Sequence, residues 1–134
     1  MPSIDAIEGI GLTFATRLRK ARIRTTEALL KRGATRTDRK RLATATGLTE
    51  HQILEWVNRA DLMRVKGIGE EYSDLLEAAG VDTVKELKTR KAAALHAKLV
   101  EINTQKRLVR RLPTESMVEG WVASVAKLEA IVKY

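Results

Sequence analysis

The chain has 134 residues, with 25 Lys and Arg against 17 Asp and Glu and a formal net charge of +8. That length allows one domain or two very small ones, and the charge suits an anionic partner, whether nucleic acid, an acidic membrane or an acidic protein. With 0 Cys and 2 His, disulfides, thiolate metal sites and an unaided zinc site are excluded.

Apolar residues recur at three- and four-residue spacing and do not alternate, which predicts an all-α chain of short helices. From the N-terminus, a short helix ends before Gly9-Ile10-Gly11, and a second runs from Leu12 to Arg22. A third starts at Thr25. A helix over Thr37–Thr46 follows, then a bend at Gly47-Leu48 and a helix capped by Thr49, whose spacing to Gln52 is that of a capping box. Lys66, Gly67, Ile68 and Gly69 make the next corner, and a helix over Glu70–Ala79 ends at Gly80, where glycine suits a left-handed cap. "TVKE" at Thr83–Glu86 is a further capping box. After Pro113 one amphipathic helix is expected through to Tyr134, with Val118, Trp121, Val122, Val125, Leu128 and Val132 on its apolar side.

These segments contain an internal repeat. "IEGIGLTFATRLRKARIRTTEALLKR" aligns without gaps on "VKGIGEEYSDLLEAAGVDTVKELKTR" at an offset of 58. Identities fall on Gly9/Gly67, Ile10/Ile68, Gly11/Gly69, Leu18/Leu76, Ala21/Ala79, Thr25/Thr83, Leu29/Leu87 and Arg32/Arg90, whereas the charges drift. Two copies of one packing unit look like this. The expected division is 1–59, holding the first copy and a degenerate second hairpin, and 60–134, holding the second copy and the tail helix. That helix either caps the second copy or forms a homodimer seam; the sequence leaves both open.

"GIGLTFA" at Gly9–Ala15 and "GIGEEYS" at Gly67–Ser73 resemble the helix-hairpin-helix signature, Gly-apolar-Gly followed by three residues and a small one. Over residues 4–103 the chain resembles an uncharacterised bacterial family, a domain of unknown function built from tandem helix-hairpin-helix units. The resemblance implies a SAM-like bundle of short helices and, through the hairpins, contact with DNA phosphates independent of sequence. The physical basis is plain: the helix after the second glycine starts with amides that lack intrahelical partners and with the positive end of its dipole.

DNA-binding hairpins often carry proline and lysine after the second glycine, places held here by Leu12-Thr13 and Glu70-Glu71. Carboxylates at Glu70 and Glu71 repel a phosphate and satisfy the dipole themselves, so the second hairpin reads as a packing bend and the first as the phosphate cradle. Charge agrees, since residues 1–59 hold 12 basic and 6 acidic side chains while residues 60–103 hold 7 and 8. The expected nucleic-acid contacts are Gly9, Ile10, Gly11 and Thr13 in the cradle and Arg17, Arg39, Lys40 and Arg41 beside it, with Arg110 and Arg111 as a second strip.

Trp56 and Trp121 read as core. His51 and His96 have no second ligand or nucleophile at useful spacing, and no Walker loop, metal cluster or catalytic triad appears. "GVD" at Gly80–Asp82 resembles the segment bearing the catalytic aspartate of hairpin-containing DNA glycosylases, but the chain is too short for that fold. The expectation is a non-enzymatic DNA-binding protein without cofactor. RNA is left open by a backbone contact, and the rival is a protein–protein module in which the hairpins are only corners. With no apolar run near the roughly 18 residues of a membrane span and no signal-peptide pattern, a cytoplasmic protein without a membrane partner is expected.

Overall fold

The computed structural model describes residues 3–7 and 9–134. Among these the chain is all-α: a 3-10 turn at Ile4–Ala6, then α1 (Leu12–Lys20), α2 (Thr26–Arg32), α3 (Arg36–Thr46), α4 (Glu50–Leu62), α5 (Glu70–Ala78), α6 (Val84–Leu87), α7 (Ala92–Lys106) and α8 (Glu115–Val125). None of these helices is long and apolar enough to cross a membrane. The chain forms two compact units, one running up to Asp61 and including Ile131–Tyr134, the other Leu62–Ala130.

In the first unit the three/four rhythm becomes a core. Ala15 and Leu18 of α1, Leu29 and Leu30 of α2, Leu42 of α3, and Ile53, Trp56 and Val57 of α4 are all buried, together with Ile4, Ile7 and Ile10. Fully burying such a side chain is worth about 1.5–3 kcal/mol each. Thr25 and Thr35 start α2 and α3, their hydroxyls accepting from the amides of Ala28 at 3.1 Å and Asp38 at 3.2 Å. At α4 the capping box closes from both sides: the Gln52 amide donates to Thr49 Oγ1 and the Thr49 amide to Gln52 Oε1, each at 3.1 Å.

The second unit is built in the same way around Leu75 and Leu76 of α5, Val84 and Leu87 of α6, Leu95 and Leu99 of α7, and Val118, Trp121 and Val125 of α8. Thr83 caps α6 by accepting from the Glu86 amide at 3.2 Å. Only half of the expected box forms, because the Glu86 carboxylate turns forward to Arg90 at 3.1 Å. The apolar face of α8 is consumed inside the unit against α6 and α7. It packs on the second copy through Val118, Trp121 and Val125, while Met117 and Val122 stay half-buried.

The tail departs from expectation. Helix α8 stops at Val125, and the chain runs on without helix to Tyr134. Leu128 stays packed against the second core, and Lys88 Nζ donates to its carbonyl. Residues 131–134, assigned from sequence to the second unit, belong to the first: Val132 is buried, and the Lys133 amide donates to the Ala34 carbonyl at 2.8 Å. One apolar rhythm thus serves two cores, which is why it read as a single helix. Gly120 costs α8 about 1 kcal/mol relative to alanine, and no neighbour lies within 4 Å of where its Cβ would stand, so no close contact offsets it.

Candidate functional site

The two Gly-Ile-Gly bends share one geometry. Gly9 and Gly67 take φ of +91° and +93°, a backbone that L side chains rarely adopt. Ile10 and Ile68 are buried and pin each bend to its own core. Gly11 and Gly69 are the N-caps of α1 and α5, and a glycine offers no side chain to cap the helix start. A tryptophan lies beneath each bend. A Cβ on Gly9 would stand 3.5 Å from Trp56 Nε1, and one on Gly67 would stand 3.1 Å from Trp121 Nε1. The same tryptophans pack on the aromatic of the following helix, Phe14–Trp56 and Tyr72–Trp121, both with ring centroids 5.3 Å apart. Sequence comparison misses this equivalence because Trp56 and Trp121 are 65 residues apart while the repeat offset is 58.

The helix ends repeat too. Arg22 and Gly80 both take positive φ, 66° and 89°. Behind them, the Ile23 amide bonds to the Leu18 carbonyl and the Val81 amide to the Leu76 carbonyl, each at 2.9 Å. The paired arginines are architectural: Arg32 donates to the Ala21 carbonyl at 3.1 Å and Arg90 to the Gly80 carbonyl at 3.3 Å, each closing the end of the preceding helix.

What differs is charge at the mouth. The first turn of α1 has no acidic residue, and that of α5 has Glu70 and Glu71. Gly11, Leu12 and Thr13 are exposed, Leu12 by 82%. The amides at the start of α1 therefore face solvent with no described side chain accepting from them. Glu8, which precedes the bend in sequence, lies outside the described residues.

The expected cations do not all gather there. Arg17 is exposed on α1, and its Nη1 lies 3.8 Å from where a Cβ on Gly47 would stand, which brings the α3–α4 bend alongside α1. That bend offers no second cradle, because the Thr49–Gln52 box already occupies the start of α4. Lys40 and Arg41 are exposed on α3. Arg41 rims a groove of about 370 Å³ with Lys31, Arg32 and Asp38, over a floor of Leu42 and Ala45.

Arg39 corrects the expectation outright. It is only 4% exposed. Its guanidinium donates to the carbonyls of Gly33 at 2.9 Å, Ala34 at 3.0 Å and Lys133 at 2.7 Å. It also lies 6.0 Å from the Tyr134 ring centroid, and burial pulls its pKa below the ordinary arginine value. Its work is to fasten the tail to the α2–α3 turn, which spends its donors on backbone carbonyls. On α1, Arg19 is drawn to Asp5 at 3.6 Å; the Ser3 hydroxyl, then Arg19, hold that carboxyl below its usual range.

Arg110 and Arg111 are exposed in the second unit, on the loop between α7 and α8. Among the described residues no group of three or more His, Asp or Glu could hold a metal ion. The model of the family described as "Domain of unknown function (DUF4332)" matches residues 8–128. The chain belongs to that family. The DUF4332 match takes in both glycine bends and all of α1 to α8. No solved structure matches the chain.

Proposed function

We propose that this protein is a non-enzymatic binder of duplex DNA built from helix-hairpin-helix units, and that it holds the phosphate backbone, independently of sequence, at the first Gly-Ile-Gly bend. The observation that carries this reading is the contrast between the two bends. They share backbone, buried isoleucine and supporting tryptophan, yet only α1 begins with exposed, uncapped amides and no carboxylate. Partial positive charge and free N–H groups at a helix start suit a phosphate oxygen. Arg17, Lys20, Lys40 and Arg41 are exposed in the same unit and have no ion pair among the described residues, so they add counterion-releasing charge. Arg110 and Arg111 belong to the other unit, and the contact does not need them.

The test converts the first bend into a copy of the second. Leu12→Glu with Thr13→Glu places two carboxylates in the first turn of α1, where the dipole favours them by about 0.3–1 kcal/mol each. The variant should melt at or above the wild-type temperature and still lose retention on duplex DNA. Wild-type retention should fall steeply with salt, and Lys40→Ala with Arg41→Ala should flatten that slope by about 0.9 for each phosphate contact removed. Unchanged retention by the folded Leu12→Glu/Thr13→Glu variant would sink the reading.

A further inference from the structure

The loop between α7 and α8 has features that the DNA reading leaves unused. From Lys106, the last residue of α7, to Leu112 the sequence is KRLVRRL, and in it Lys106, Arg107, Arg110 and Arg111 are all exposed. None of the four has an ion pair among the described residues. Two of the four exposed large apolar side chains among the described residues, Leu108 and Leu112, each 38% exposed, stand among these cations.

The loop is held in place. Asn103 brackets Val109, accepting from its amide at 3.0 Å and donating to its carbonyl at 3.2 Å. The Tyr72 hydroxyl donates to the Arg111 carbonyl at 3.1 Å, and His96 Nε2 lies 3.0 Å from the Pro113 carbonyl. Val109 and Pro113 are buried, so the backbone is anchored inward while the charged and apolar side chains point out. Little ordering entropy remains to be lost on docking.

We infer that this loop docks the second unit on an anionic phospholipid surface. A phosphodiester backbone takes up guanidinium groups but offers nothing to two leucines set between them. The headgroup region of an acidic bilayer accepts both, cations at the lipid phosphates and leucines at the acyl boundary. Glu70 and Glu71 start the helix that Tyr72 ties to this loop, and the four cations outnumber them. The docking is peripheral, in keeping with the lack of a spanning helix among the described residues, and it reverses the sequence-based expectation of no membrane partner.

Co-sedimentation of the full chain with phosphatidylcholine vesicles, with and without about one-third phosphatidylserine, tests this. Binding is expected only with phosphatidylserine, weakening about fivefold for each charge removed in Arg110→Gln/Arg111→Gln. Leu108→Ser/Leu112→Ser should weaken vesicle binding while leaving duplex DNA retention unchanged, and Leu12→Glu/Thr13→Glu should leave vesicle binding intact. These variants lie at exposed positions, so circular dichroism should show wild-type helix content. No binding to the acidic vesicles overturns the inference. So does vesicle binding that ignores the leucine pair, which would reduce the loop to general polyanion attraction.

Discussion

Arginine does three different jobs in this chain, and its letter in the sequence does not say which. Arg39 is consumed by three carbonyls, Arg32 and Arg90 close helix ends, and Arg17 and Arg41 remain exposed. Arg22 is the most informative, because it stands where the second copy has glycine and takes φ of 66°. An L residue in the left-handed region costs roughly 1–2 kcal/mol, and glycine returns about 0.5–1 of that through its floppier unfolded state. Arg22→Gly should therefore stabilise the first unit by about 0.5–1 kcal/mol, read as a higher urea midpoint of Trp56 fluorescence in a Trp121→Phe background. A lower midpoint would mean that the Arg22 side chain makes a contribution its exposure does not suggest.

At the scale of elements, the two bends can be ranked against each other. Alanine at Gly9 or Gly67 meets the same backbone strain, but its Cβ would stand 3.5 Å from Trp56 at the first and 3.1 Å from Trp121 at the second. Gly67→Ala should thus cost about 2 kcal/mol and Gly9→Ala about 1 kcal/mol, compared by the thermal midpoints of the two variants. Equal losses would show that the tryptophans do not limit the space. Most helix positions, both bends and most caps were legible in sequence because each rests on local rules: a glycine for positive φ, a threonine for a free amide, an apolar rhythm for burial. The shared role of Trp56 and Trp121 was not, since burial beneath a bend is decided by packing and the spacing between them breaks the repeat. Arg39 was misread for a related reason. Among exposed neighbours such as Lys40 and Arg41, nothing local marks the one side chain that turns inward to meet a segment 94 residues away. The acid-free first turn of α1 could be read directly from the residues after Gly11.

For the molecule as a whole, the chain completes its first unit only with its last residues. Everything between Leu62 and Ala130 is a separate compact unit, and the chain then returns. The returning segment contributes buried Val132, the backbone bond from Lys133 to Ala34, the carbonyl that Arg39 reaches, and a Tyr134 hydroxyl that donates to Asn58 Oδ1 at 3.1 Å. Removing residues 131–134 strips one buried valine and these bonds, and leaves the buried Arg39 guanidinium one acceptor short. Together this amounts to roughly 3 kcal/mol or more. Each unit carries one tryptophan, so the loss can be located. With Trp121→Phe as background, Trp56 should report a lower unfolding midpoint after truncation. With Trp56→Phe as background, Trp121 should report an unchanged one, since each of these contacts lies in the first unit. Arg39→Met in the full chain should move the Trp56 midpoint in the same direction, because it breaks the same clamp from the other side. If truncation leaves the Trp56 transition where it was, the tail is merely laid on the first unit, and Arg39 is held by the α2–α3 turn alone.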